Sequence, residues 1–365
     1  MKRLFLHENH KAYGAEFGPF GDWELPLHYG SLEKEPVQVR KTGGIIDRSF
    51  MGKLLIAGSD RLSFLQGMVT NDVKQVTPEK GIYSLVVTVK GKIVADFLVL
   101  GLEEAFLLVL QPELSEKVQT HLDKFVIASD VNLQDVSGQW GLFSVYGPSA
   151  PVLLKGVLGK EITQKDPLSV EVHTWNGHNV WLIHQQELGT LGFDILIPQE
   201  QAISLWEELR SKGGDLGIAP FGWKAYEVLR IEGGVPRYGY ELDESVFPLE
   251  AEVENAVSYD KGCFLGQETI TRMKFRGHAN RLRIGFEAGG KEPPKKGDPI
   301  LCEGKETGWV TSSAFSPFLQ KVVGMGFIRR DFTAPGTPLK IKMKSGETEG
   351  KVCSLPLVGL KEKTG

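Results

Sequence analysis

The chain has 365 residues, 41% hydrophobic and 24% charged, enough to bury a sizeable core in two or three domains of an ordinary soluble globular protein. Its 42 basic and 46 acidic side chains leave a formal net charge of −4, which argues against wholesale nucleic-acid binding and restricts any anionic partner to a small or local site. Three cysteines, Cys263, Cys302 and Cys353, are odd in number and far apart, so neither a disulfide framework nor a Cys-x-x-Cys metal site is expected, and a reducing cytoplasm fits best. The opening MKRLFLHENHKAYG has an apolar run too short for a signal peptide, and no later stretch approaches a membrane span.

Strand-like and helix-like runs alternate in an α+β rather than a strict βαβ rhythm. Residues 53–57 (KLLIA) read as a strand, and Ser59-Asp60 is placed to cap a helix carrying Leu62, Phe64, Leu65 and Met68. A hairpin follows, with 82–89 and 93–100 as its arms and Lys90-Gly91-Lys92 as its turn; residues 105–110 (AFLLVL) add a third strand. Pro112 opens a helix to about Phe125, strands are expected near 131–136, 141–146 and 180–184, and helices over 199–210 and 221–231. After Gly277 short apolar runs are punctuated by Pro293-Pro294, Gly297, Gly304, Gly308, Pro317 and Pro335-Gly336, the texture of a small antiparallel β-barrel.

The chain has no GxxxxGK[ST] phosphate loop, no GxGxxG fingerprint and no GxSxG elbow. His7 and His10 stand at a helical interval but lack a third nearby ligand, so no metal site is expected. Asp96 lies inside the apolar run IVADFLVL, where an ionised carboxylate is costly unless paired or used. Pointing into a pocket, it can accept a proton or stabilise a cation; pointing outward, it is a solvated edge residue. Arg230, in YEVLRIEGGVP, divides the same way between a charge at a helix C-terminus and a ligand contact. Residues 238–260 hold seven acids and no base, a solvated face by default. Directly after them, Lys261-Gly262-Cys263-Phe264-Leu265-Gly266-Gln267-Glu268 sets a thiol between glycines, and Arg272, Lys274, Arg276, Arg281 and Arg283 follow. That setting suits an exposed thiolate beside an anion-binding surface, or equally a small buried cysteine in a loop.

These residues together carry a resemblance. Trp23-Glu24-Leu25-Pro26, Gly44-Ile45-Ile46-Asp47, Phe64-Leu65-Gln66-Gly67, Val69-Thr70-Asn71-Asp72, Tyr83-Ser84-Leu85 and the segment LRIEGGVPRYGYELDESVFPLEA at 229–251 resemble the glycine-cleavage T-protein (aminomethyltransferase) superfamily. The octapeptide KGCFLGQE and the KFRG after it resemble instead the YgfZ-type folate-binding relatives linked to iron–sulfur cluster maintenance; T-proteins usually carry an acidic residue at the position of Cys263. The resemblance implies an α+β, three-lobed fold around a central hole. Two interleaved lobes would occupy residues 1–277 and an antiparallel β-barrel 278–365, with folate in the opening between them.

By position, the resemblance makes Asp96 the catalytic aspartate on the strand after a glycine turn, and groups Tyr83 and Leu98 with the folate. A carboxylate accepts a pterin's ring N–H and amino group in two parallel hydrogen bonds, and the corresponding acid here is Asp194, in LGTLGFDI, where glutamate is usual. Glu187 and Thr190 stand where tyrosine and glutamate are usual. Arg230 matches an arginine that lies by the folate, and the charge of the 272–283 run, Lys274 and Arg276 included, suits a glutamyl tail. Asp96 is expected to line the pocket and Cys263 to lie near its mouth, facing solvent or ligand.

Two functions follow from the resemblance. The first is a YgfZ-type protein that binds tetrahydrofolate, with one-carbon chemistry at Asp96 and Cys263, and supports iron–sulfur enzymes or their assembly factors. The alternative is an aminomethyltransferase working with the lipoyl-carrying H-protein of glycine cleavage. A folate-binding scaffold with a structural thiol is the plainest third reading. No nucleic-acid or membrane partner is expected under any of them.

Overall fold

The computed structural model describes residues 1–359. The strand Gly44–Asp47 joins a six-stranded sheet whose order is Val170–Trp175, His178–Gln185, Gly192–Pro198, Trp140–Tyr146, Gly44–Asp47, Ala219–Pro220. The intervening chain builds a second sheet of five strands, ordered Ile82–Val87, Ile93–Gly101, Ala105–Leu110, Gly52–Ala57, Asn132–Asp135. One lobe is thus inserted into the other, which is the interleaving expected from the resemblance. A small sheet of Lys2–Arg3, Glu16–Phe20 and Trp23–His28 covers the helix Trp223–Glu232, with Phe20 and Trp223 in edge contact at 4.6 Å.

Six antiparallel strands between Arg281 and Cys353 close into a barrel. Closure leaves no free sheet edge, and its inward residues, among them Phe286, Ile300, Val310, Val322 and Ile341, form a separate core. Among the described residues no helix is long and apolar enough to cross a membrane.

The strand Ile93–Gly101 shows how the fold makes a site. It is the second strand of its sheet, and its positions are buried except Asp96 and Leu98. Those two are separated by one residue, so they share a face. Tyr83 pairs directly with Leu98 on the neighbouring strand and is also only partly buried. One patch of an otherwise buried strand pair is therefore left open, and it carries an acid, a phenol and an aliphatic side chain.

The barrel is fastened to the rest by polar bonds from the helix Trp223–Glu232. Glu232 accepts from Arg40 Nε at 2.9 Å and from Ser316 Oγ at 2.6 Å, and its ion pair with Arg40 Nη2 is 2.7 Å long, with both side chains almost fully buried. Burial lowers the Arg40 guanidinium's pKa, and Glu232 counters it. Breaking such a pair leaves an uncompensated buried charge. Glu232→Ala should cost about 3–5 kcal/mol in urea unfolding, while Glu349→Ala, at an exposed pair with Lys340, should stay within about 0.5 kcal/mol.

Candidate functional site

Two cavities, of about 80 and 320 Å³, share one wall. The shared residues are Tyr83, Asp96, Leu98, Glu187, Val235 and Pro236. The first cavity continues over Arg48, Met51, Trp223, Tyr226, Arg230 and Arg237, and the second over Leu168, Gln186, Glu252, Asn255 and Arg283. The second is large enough for a small-molecule ligand and the first is a narrow cleft beside it, and apolar walls with a few convergent polar groups are the usual make-up of ligand sites.

Asp96 stands at the junction. Its Oδ2 accepts the Tyr83 hydroxyl at 3.1 Å, and its Oδ1 is buried without a partner. Burial pushes the Asp96 carboxyl up to about 6, with the Tyr83 bond working against that shift. The same burial, with Asp96 beside it, raises the Tyr83 phenol well above its usual range, so the phenol remains a donor. Glu187, in the loop between the strands His178–Gln185 and Gly192–Pro198, has no hydrogen-bond partner for its carboxyl among the described residues. Burial pushes it up to about 7; Arg48 opposes this, while Asp194 and Asp96 add to it. The inner wall therefore holds two carboxyls poised near neutrality.

Most of the surrounding cations are already engaged. Arg230 donates Nε to Glu227 at 3.0 Å, Nη1 to Val235 O at 3.1 Å and Glu241 at 3.2 Å, and Nη2 to Ser312 at 2.7 Å. Of its five N–H groups only one is left for a ligand. Arg237 bonds Glu227 at 2.7 Å and covers the Tyr240 ring at 3.9 Å. Arg283 donates to Ala251 O at 2.7 Å and Gly234 O at 2.6 Å.

Tyr83, Asp96, Leu98 and Arg230 thus come together on the cavity walls, whereas the other sequence candidates do not. Asp194 is 3% exposed and lies on neither wall. Its Oδ1 accepts from Arg48 at 3.3 Å and Ser144 at 2.5 Å, and its Oδ2 from Arg48 at 3.4 Å and Gln185 at 3.0 Å. Three donor atoms, Arg48 Nη1, Ser144 Oγ and Gln185 Nε2, thus already meet this carboxylate. The expectation that Asp194 receives a pterin is corrected accordingly: it anchors Arg48 behind the cavity.

Lys274 pairs with Glu254 at 2.7 Å in a neighbouring groove that shares Glu252 and Asn255 with the second cavity. Arg276 lies on the outer face of the helix Gln267–Arg276, with Arg272 and Phe275, and reaches neither cavity. Cys263 is exposed and is not among the residues lining either cavity. Its turn is held by Lys261, whose Nζ donates to Val69 O at 2.6 Å and Asn71 O at 2.7 Å, and by the left-handed backbone of Gly262 at φ 94°. Sequence reasoning missed Arg48 and the stacked pair Trp223 and Tyr226, whose rings lie 4.7 Å apart. The signal for Arg48 was a charged pair, Asp47-Arg48, directly after an apolar run.

This fold and site define a class. Residues 6–261 match the GCVT N-terminal domain and residues 281–358 the glycine cleavage T-protein C-terminal barrel domain. The chain belongs to the glycine cleavage T-protein family. It is 31% identical to an aminomethyltransferase of Halothermothrix orenii over 98% of this chain and 100% of that one. It is also 31% identical to an aminomethyltransferase of Bacillus subtilis, over 98% and 99%. The fold is shared with the glycine cleavage system aminomethyltransferase T of Bartonella henselae, at TM-score 0.88 and 24% identity over 98% of both chains. These relatives carry the aminomethyltransferase name, not that of the YgfZ type, which reverses the order of the two readings drawn from the sequence.

The folded-state pKa of Asp96 lies above its unfolded value of about 4, so ionising it in place opposes folding. That cost is absent below about pH 4, grows as pH rises towards about 6, and is complete above it. Asp96→Asn should therefore gain on the order of 1–3 kcal/mol over the native chain at pH 8 and almost nothing at pH 4, measured by urea unfolding.

Proposed function

We propose that this chain is a tetrahydrofolate-dependent aminomethyltransferase. The observation that carries the reading is Asp96, a half-buried carboxylate with one unpartnered oxygen, placed where two separate cavities meet. A ligand in the larger cavity and a slender group in the adjoining cleft both border such a junction. The family's aminomethyltransferases use tetrahydrofolate, which supplies the N5 and N10 nitrogens that take up the one-carbon unit. In the overall exchange the carbon leaves its sulfur and its amino nitrogen and bonds to N5 and N10. The two displaced N–H protons go to the departing ammonia and the thiol.

The chain's residues fit that exchange. The unpartnered Oδ1 of Asp96 is free to take a proton or face a developing cation, and a pKa of about 6 leaves it mostly ionised at neutral pH while still able to be protonated. Tyr83 fixes Oδ2 and so orients the carboxylate. Leu98, Val235 and Pro236 offer apolar cover for the faces of a flat ring system, and the narrow junction limits water around the reacting atoms. The lipoyl arm of an H-protein is the aminomethyl donor under this reading.

Asp96→Asn should reduce tetrahydrofolate-dependent ammonia release from aminomethyl-loaded lipoyl protein by roughly 10²–10⁴-fold while folate binding persists. Unimpaired release in that variant would refute the catalytic role.

The exposed thiol of Cys263 favours a second reading, folate binding in support of iron–sulfur enzymes, because KGCFLGQE presents a sulfur on the surface, where a partner protein can reach it. On that reading Cys263→Ala retains folate binding and fails to restore iron–sulfur enzyme activity in a strain lacking the protein. Full restoration by the variant removes it.

A further inference from the structure

We infer that Glu187 is the residue that reads the amide–amine edge of the pterin, a task for which Asp194, on neither cavity wall, is not placed. The inference deepens the proposed folate reading and rests on it. A pterin presents a ring N–H and an exocyclic amino group side by side, and the matching partner is a carboxylate with both oxygens free. Three carboxylates border the two cavities: Asp96, Glu187 and Glu252. Asp96 has one oxygen tied to the Tyr83 hydroxyl and belongs to the reacting centre. Glu252 is exposed at the outer rim, where the second cavity opens into the neighbouring groove. Glu187 lines both cavities, and among the described residues nothing donates a hydrogen bond to its carboxyl.

Both oxygens therefore stay open to the cavity, where a ligand's N–H groups meet them unpaired. The local fold holds Glu187 in place through its backbone. Gly233 packs so closely against it that a Cβ there would lie 2.5 Å from the Glu187 carbonyl oxygen. Gly189, two residues on, has φ 65° and would meet Val358 O at 1.9 Å if it carried a Cβ. The loop is thus clamped between the end of the helix Trp223–Glu232 and the segment after the barrel, which gives Glu187 a fixed base from which to face the cavity. Behind it, Arg48 is already anchored by Asp194.

The test is calorimetric titration of the full chain with tetrahydrofolate and with its 2-desamino-2-methyl analogue, for the native protein, Glu187→Gln and Glu187→Asp. Since the Glu187 side chain makes no internal hydrogen bond, Glu187→Gln should fold normally, which circular dichroism and the unfolding midpoint would verify. The native protein should prefer tetrahydrofolate over the analogue. Glu187→Gln should bind tetrahydrofolate roughly 10–100-fold more weakly and lose that preference, while Glu187→Asp retains part of it. Equal tetrahydrofolate affinity in Glu187→Gln, or an equal loss for both ligands, would overturn the assignment and leave the folate reading standing. No tetrahydrofolate binding by the native protein would overturn both.

Discussion

The guanidinium of Arg230 is the bond on which the central opening depends. It joins its own helix through Glu227, the following loop through Val235 O and Glu241, and the barrel through Ser312, with only 2% of the residue exposed. Glu241 in turn accepts from Ser312 at 2.6 Å, closing a ring of charge-assisted bonds across the junction between helix and barrel. The barrel is held against the interleaved lobes at that point. The larger cavity lies where these bodies meet, with Arg283 of the barrel in its wall.

The same network decides the electrostatics of the opening. Arg230 and Arg237 share Glu227, Arg48 is paired with Asp194, and Arg283 is spent on carbonyl oxygens. The wall at the junction is left with two carboxyls, Asp96 and Glu187, that burial has pushed towards neutrality. A site so arranged favours a ligand rich in N–H donors and a reaction that develops positive charge. Those requirements agree with a reduced pterin and with transfer of an aminomethyl carbon, and they explain why a surplus of nearby arginines does not make the opening an anion trap.

Much of this was legible in the sequence. Asp96 stood out because a charge inside IVADFLVL has few cheap explanations, and the barrel declared itself through short apolar runs broken by Gly and Pro. The helix from Trp223 and the hairpin around Lys90-Gly91-Lys92 followed from apolar spacing and turn chemistry. The helices Lys34–Lys41 and Gln267–Arg276 were missed, being short and strongly polar; the second buries only Ile270. Asp194 was misread because residue type says nothing about which donors the fold delivers. Arg48 lies 146 residues away and Ser144 50. Glu187 was visible only as an acid in place of a tyrosine, and its position on both cavity walls comes only from the fold. The sequence left the burial of Cys263 open, and the fold exposes it beside two glycines of positive φ, Gly262 and Gly266.

The central claim is that chemistry occurs at the Asp96 carboxylate where the two cavities meet. The most direct measurement is a crystal structure of the chain with tetrahydrofolate bound. The account predicts the pterin between Leu98 and Pro236, with N5 within hydrogen-bonding reach of Asp96, about 3 Å or one water away. A folate bound elsewhere, or seated in the opening with N5 turned away from Asp96, would contradict it.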